Sequence, residues 1–215
     1  MTQLIYIADP MCSWCYGFGP ELDALLAAVP EAQMDIIVGG LRAYNTEVMD
    51  EAKKASILGH WQQVADASGL PFSDAGMARP GFVYDTEPAC RAVVAARTVA
   101  DELSPRAKLT VFRAIQHAFY AEGKDVTKVD VLSEVCVHTL NLVDGGGYDI
   151  DSFMETMAAH ATSAETREEF EQTQRWGIRG FPALLLVHEG ALHVIASGYT
   201  RTAEMLESLR QLQQA

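Results

Sequence analysis

Short apolar runs and helical stripes follow one another along this chain. Leu4–Ala8 is an apolar, partly β-branched run, which predicts a buried strand. Apolar residues then recur at i, i+3, i+4 and i+7, namely Leu22, Leu25, Leu26 and Val29. This spacing predicts an amphipathic helix whose first turns Gly17, Gly19 and Pro20 should bend. Met34–Val38 predicts a second strand, so the chain opens as strand, helix, strand.

The middle of the chain is helical in pattern, from about residue 45 to residue 176. Glycine and proline clusters divide it into predicted helices near 46–68, 87–103, 105–121, 130–142, 149–160 and 163–176. The pattern then returns to strands at Ala183–His188 and Leu192–Ser197, joined by a short turn at Glu189-Gly190. A last helix carries Met205, Leu209 and Leu212 on one side.

This order predicts an α/β fold (β-α-β, then β-β-α), with a four-stranded mixed sheet and a helical insertion. Residues 1–44 and 177–215 would form the domain that contains the sheet, and residues 45–176 the helical insertion. At 215 residues and 49% hydrophobic composition, the chain can bury its core without disulfide bonds.

The charge balance narrows the choice of partners. The chain carries 16 basic and 29 acidic residues, a net charge of −13. Such a field repels nucleic acid and anionic membrane surfaces, and we expect neither as a partner. No apolar run approaches the roughly 18 residues of a membrane span, and no secretory signal precedes the first strand. We therefore expect a cytoplasmic protein, in a compartment where structural disulfides are rare.

Two cysteines stand where the first strand meets the first helix, in the stretch DPMCSWCY at 9–16. Unpaired N–H groups and the positive end of the helix dipole favour a thiolate at that place. The i, i+3 spacing of Cys12 and Cys15 puts both sulfurs on one helical face. Cys12 is the expected exposed nucleophile, and Cys15 would resolve the mixed disulfide. Ser13 and Trp14 would shape the surface that a substrate meets.

A metal site is the competing interpretation of the Cys pair. Zinc would require a second Cys-x-x-Cys or a nearby Cys/His pair, whereas Cys90 and Cys136 are isolated from each other. Both are expected to be small core hydrophobes, and the six histidines show no metal-binding spacing. The sequence thus predicts no metal.

A second motif, GIRGFP at 177–182, directly precedes the strand Ala183–His188. Proline cannot donate to a sheet ladder, so Pro182 belongs at the start of the strand. Its X-Pro bond is a candidate for the cis form. A cis Pro182 would place the Phe181 backbone beside the cysteines, where it could bind an extended substrate.

With these motifs the chain resembles the DsbA-like branch of the thioredoxin superfamily, in particular the FrnE-like group of predicted protein disulfide isomerases. DPMCSWCYGF at 9–18, TEPACRA at 86–92 and RGFPALLL at 179–186 carry the resemblance. It implies a thioredoxin-like fold for residues 1–44 and 177–215. It also implies thiol–disulfide exchange on protein or peptide thiols, with no bound cofactor and with glutathione as a candidate redox partner. Relatives often have a buried acid six positions before the first cysteine, where this chain has Tyr6. Asp9 is therefore our candidate for a proton relay, and transfer through water is the alternative.

Two other functions remain open at this point. Kappa-class glutathione transferases and hydroxychromene-carboxylate isomerases share the expected architecture but usually place a serine at the active turn. A peptide-binding chaperone would use Trp14, Phe18 and Phe181 as an apolar groove, and its thiols would be incidental.

Overall fold

The computed structural model describes residues 2–100 and 102–213. Residues 1, 214 and 215 of the predicted thioredoxin-like domain, and residue 101 of the predicted helix 87–103, lie outside this part. The strands are β1 (Gln3–Ala8), β2 (Gln33–Val38), β3 (Ala183–His188) and β4 (Ala191–Ser197). The longer helices are α1 (Ser13–Ala28), α2 (Glu51–Ser68), α3 (Glu87–Val99), α4 (Pro105–Tyr120), α5 (Val129–Asp144), α6 (Ile150–Ala158), α7 (His160–Arg175) and α8 (Thr202–Gln213).

The four strands form one mixed sheet in the order β2-β1-β3-β4, which confirms the predicted thioredoxin-like fold. β1 runs parallel to β2 and antiparallel to β3, so that Tyr6 faces Ile36 on one side and Leu184 on the other. β1 is a central strand covered on both faces, which explains why nearly every residue in it is apolar. The β3–β4 turn has positive φ at both Glu189 and Gly190, as a two-residue hairpin requires.

Helices α2–α7 lie between β2 and β3 in the chain. α2 and α4 pack against α1, and α3, α4 and α7 pack against β2, whereas α5 and α6 pack against other inserted helices. One continuous apolar core includes residues of the sheet, of α1 and of these helices. Whether residues 45–176 form a separate domain stays a prediction.

Gly17 brings α2 close to α1. A Cβ added at Gly17 would lie 2.5 Å from Cγ1 of Val64, so no other residue fits there without a shift. The sequence suggested a bend at Gly17, Gly19 and Pro20. The helix runs without interruption from Ser13 to Ala28 through Pro20, and the evident role of Gly17 is close packing.

Several predicted helix ends were wrong by a few residues. α2 begins at Glu51 rather than 46, after an Asp50 side chain that accepts the N–H of Lys53. α3 ends at Val99, short of the predicted 103. α7 begins at His160 rather than 163, because a single extended residue, Ala159, separates it from α6.

Candidate active site

Cys12 and Cys15 lie at the turn from β1 into α1, as predicted. Cys12 is the N-cap residue of α1, with extended backbone angles, and its N–H donates to the carbonyl of Asp9 at 3.0 Å. Cys15 falls in the first turn of the helix and is fully buried. The four cysteines of the chain are free thiols.

Cys12 is more recessed than the sequence suggested. Its exposed fraction is 7%, so the predicted exposure of Cys12 was wrong, while its role as the nucleophile stays a prediction. The residue lies in the wall of a cleft of about 370 Å³, which Ser13, Trp14 and Phe181 also line. A substrate sulfur must therefore enter this cleft to reach Cys12.

The Phe181–Pro182 peptide bond is cis, which confirms the prediction. The Sγ atom of Cys12 lies 3.7 Å from the carbonyl oxygen of Phe181. The ring of Phe181 packs on the backbone of Gly39, where an added Cβ would lie 2.1 Å from the ring. Pro182 itself is buried, and its carbonyl accepts the N–H of Gly198 at 2.8 Å.

The environment of Cys15 opposes its ionisation. Burial raises the pKa of Cys15 well above its usual value, and the hydrogen bond and charge of Cys12 raise it further. The backbone N–H of Asp9 acts in the opposite direction by hydrogen-bonding to the sulfur. Tyr6, which occupies the position of the acid found in relatives, is fully buried and donates its hydroxyl to the carbonyl of Cys15 at 3.4 Å. The position at which relatives have an acid is therefore occupied by a phenol in this chain.

Asp9 follows the last residue of β1, as expected, and is completely buried. Its Oδ1 accepts the N–H of Met11 at 2.8 Å, and its Oδ2 accepts the N–H of Leu41 at 2.6 Å. The carboxylate thus joins the Cys turn to the loop after β2. Burial raises the pKa of Asp9, although hydrogen bonds from Thr86, Met11, Leu41 and Cys90 oppose the shift. A carboxyl group with a raised pKa this close to Cys15 is suited to exchanging a proton with it.

Residues distant in the sequence complete this buried cluster. The Cys90 thiol donates to Oδ2 of Asp9 at 3.5 Å, and Thr86 accepts the N–H of Arg42 at 3.1 Å. Cys90 and Cys136 are both fully buried, as predicted, but sequence analysis missed the contact between Cys90 and Asp9. The only signal for it was the TEPACRA stretch, which contains both Thr86 and Cys90.

Phe18 does not belong to the cleft, and its expected place in an apolar groove was wrong. It is fully buried, with its ring near those of Tyr6 and Tyr199. The reason is helical spacing, because Phe18 lies three residues after Cys15 and shares its buried face. Among the residues described, no group of three or more His, Cys, Asp or Glu side chains could hold a metal ion.

The sequence matches the DsbA-like thioredoxin domain over residues 3–210. The chain belongs to this family. A "putative protein disulfide isomerase" from Nitrosomonas europaea has a similar structure, with 32% identity and a TM-score of 0.86, and the match covers 99% of this chain and 98% of that one. No curated protein sequence matches the chain.

Two further solved structures have the same fold as this chain, although their sequences are less similar to it. The cytosolic disulfide reductase DsbM from Pseudomonas aeruginosa is 24% identical, with a TM-score of 0.77 and coverage of 99% of this chain and 100% of that one. A 2-hydroxychromene-2-carboxylate isomerase is 13% identical, with a TM-score of 0.67 and coverage of 99% and 96%. In the described part of the chain, no helix is long and apolar enough to cross a bilayer.

Proposed function

We propose that this protein is a thiol–disulfide oxidoreductase that acts on protein or peptide thiols and disulfides through Cys12 and Cys15. The position of Cys12 carries the proposal. It caps the N-terminus of α1 inside an open cleft, and its sulfur faces the carbonyl of Phe181. Membership of the DsbA-like family supports this chemistry.

The exchange begins when the Cys12 thiolate attacks one sulfur of a substrate disulfide. A new bond forms between Cys12 and that sulfur, and the other substrate sulfur leaves as a thiolate that takes up a proton. Cys15 then loses its proton and attacks the Cys12 sulfur, which releases the second substrate thiol. The protein dithiol has lost two electrons and the substrate disulfide has gained them. The reverse sequence oxidises a substrate dithiol.

Asp9 is the proposed acceptor of the Cys15 proton. Its backbone N–H hydrogen-bonds to the Cys15 sulfur, and the raised pKa of its carboxyl lets it hold a proton. Ser13, Trp14, Phe181 and Pro182 are the proposed substrate contacts, since the first three line the cleft and Pro182 fixes the backbone beside it.

We further propose the cytoplasm as the compartment and glutathione as a redox partner. Support comes from the similarly folded DsbM, which is called cytosolic and has also been solved with glutathione. In that compartment the Cys pair would cycle between dithiol and disulfide as a reductase or isomerase. The isomerase-like fold match at 13% identity concerns the fold alone and does not favour a transferase or isomerase of that type.

Insulin reduction and reactivation of scrambled ribonuclease test the function. We expect Cys12→Ala to abolish both activities, and Cys136→Ala, which alters a buried thiol on α5, to retain them. An active Cys12→Ala protein would overturn the proposal. Suppression of aggregation that survives in a Cys12→Ala/Cys15→Ala protein lacking exchange activity would instead favour a chaperone.

A further inference from the structure

The cleft over Cys12 differs in charge from the rest of the molecule. The chain carries 29 acidic residues and a net charge of −13. None of the described residues that line the cleft is Asp or Glu, whereas Arg42 and His60 both line it. At the entrance to the sulfur, this acidic protein therefore presents a cation and no opposing carboxylate among the described lining residues.

Arg42 is available to an incoming anion. Six other arginines form ion pairs with carboxylates: Arg91, Arg97, Arg113, Arg175, Arg201 and Arg210. Within residues 2–100 and 102–213, no carboxylate oxygen lies within ion-pair distance of the Arg42 guanidinium. The guanidinium carbon instead lies 5.4 Å from the centre of the Tyr84 ring, and Arg42 is an exposed residue in the lining of the cleft.

The position of Arg42 is fixed relative to the Cys turn. Its backbone N–H donates to Thr86, and the N–H of the preceding Leu41 donates to Asp9. Asp9 also accepts the N–H of Met11, beside Cys12. The Tyr84 ring under the guanidinium donates its hydroxyl to the carbonyl of Met11. A guanidinium that stacks on Tyr84 and extends from a backbone held in this way can orient a substrate as well as attract it.

We infer that Arg42 determines substrate choice by pairing with a carboxylate close to the sulfur of the incoming thiol or disulfide. This inference rests on the proposed exchange function and adds the substrate class, namely small or peptide disulfides that carry an acidic group near the S–S bond. Glutathione disulfide is one such molecule, and a peptide with an acidic residue beside its cysteine is another. Arg42 takes no part in bond making, and both products leave as thiols as in the scheme above.

The test compares two small disulfides of similar size and different charge, dithiodiglycolate and 2-hydroxyethyl disulfide. Reduced protein is mixed with an excess of each, and loss of the two free thiols is followed by acid quench, alkylation and mass spectrometry. Wild type is compared with Arg42→Gln and Arg42→Lys. Arg106→Gln, which removes an exposed arginine on α4 away from the cleft, is the matched control. Glutathione disulfide serves as a third substrate.

We expect Arg42→Gln to slow oxidation by dithiodiglycolate and glutathione disulfide roughly 5- to 20-fold, and to change the rate with 2-hydroxyethyl disulfide less than about twofold. Arg42→Lys should lie in between, because it keeps the charge and loses the paired donors. In wild type, added NaCl should slow oxidation by the two anionic disulfides and leave oxidation by 2-hydroxyethyl disulfide unchanged.

Equal slowing of neutral and anionic disulfides by Arg42→Gln would overturn the inference, and so would no change in either. If Arg42→Gln does not fold, the same comparison rests on Arg42→Lys and on the salt dependence of wild type. Failure of all three disulfides to oxidise wild-type thiols would be a different result, since it would overturn the exchange function itself.

Discussion

The sulfur of Cys12 lies 3.7 Å from the carbonyl oxygen of Phe181, although 169 positions separate the two residues in the chain. The antiparallel pairing of β1 with β3 creates this contact, because the end of β1 meets the beginning of β3 at one edge of the sheet. The Cys12 sulfur and the backbone that faces it therefore come from opposite ends of the chain.

Removal of Cys15 should trap a substrate on Cys12. We expect Cys15→Ala, mixed with a disulfide-bonded peptide, to accumulate a one-to-one mixed disulfide, because nothing remains to attack the Cys12 sulfur. Intact mass spectrometry without reductant detects the adduct, and Cys12→Ala is the control that should show none. A folded Cys15→Ala protein that forms no adduct would contradict the proposed order of attack.

Alkylation should distinguish Cys12 from the other three thiols. Burial raises the pKa of Cys136 to about 12 and raises those of Cys15 and Cys90 well above the usual value, and all three are inaccessible. Iodoacetamide at pH 8 should therefore modify native protein once, at Cys12, whereas protein in urea should react at all four. Peptide mapping locates the label, and early labelling of Cys90 would argue against its burial beside Asp9.

Asp9→Asn should change the pH dependence of stability. Burial raises the folded pKa of Asp9 above its ordinary 3.8, so the folded protein binds the proton of this carboxyl more tightly than the unfolded chain does. Its contribution to stability is complete below 3.8 and is lost as the pH rises through the folded pKa. As the pH rises through this range, the free energy of unfolding of wild type should fall relative to that of Asp9→Asn. The fall should be about 1.4 kcal/mol for each unit by which the pKa of Asp9 is raised. Urea unfolding of both proteins between pH 3.5 and 7.5 measures this difference. If the two plots of unfolding free energy against pH are parallel, the expected effect of Asp9 is contradicted.

The same variant tests the proton relay. If the Asp9 carboxyl accepts the Cys15 proton, Asp9→Asn should slow release of the second substrate thiol and alter the pH profile of that step. The first attack by Cys12 should be affected less. An unchanged pH profile would contradict the relay, and the role of Asp9 would then be structural, through its hydrogen bonds to Met11 and Leu41.

Gly17→Ala should destabilise the protein by about 1–3 kcal/mol, because the added Cβ would lie 2.5 Å from Cγ1 of Val64. Gly59→Ala on α2 is the matched control. Its added Cβ meets no atom within 4 Å, and we expect a gain of up to about 1 kcal/mol from better helix propensity. Chemical unfolding measures the free energy of unfolding of both variants. If the contact with Val64 is the cause, Gly17→Ala should cost less stability when it is introduced into Val64→Ala protein than into wild type.

The sequence predicted the parts of this fold that depend on local pattern. The apolar run of β1, the turn carrying Cys12 and Cys15, and Pro182 at the start of β3 each have a local physical reason. The boundary between α6 and α7 had none, since one extended alanine separates the two helices and no glycine or proline marks it.

The cluster around Asp9 could not be predicted in this way. Its members Leu41, Thr86 and Cys90 come from three segments whose meeting depends on how the inserted helices pack. The recessed position of Cys12 has the same origin, because the exposure of a sulfur depends on which distant side chains surround it. The periodicity of apolar residues along the sequence shows which face of a helix or strand is buried. It does not show which other element covers that face.

The cleft has two sources within the chain. Met11, Cys12 and Phe181 come from the segments next to β1 and β3, whereas Ile57, His60, Trp61 and Tyr84 belong to the segments inserted after β2. Tyr84 is hydrogen-bonded to the Cys turn through Met11, but substitution of Ile57, His60 or Trp61 can change the shape of the entrance from outside the two segments that border the sulfurs.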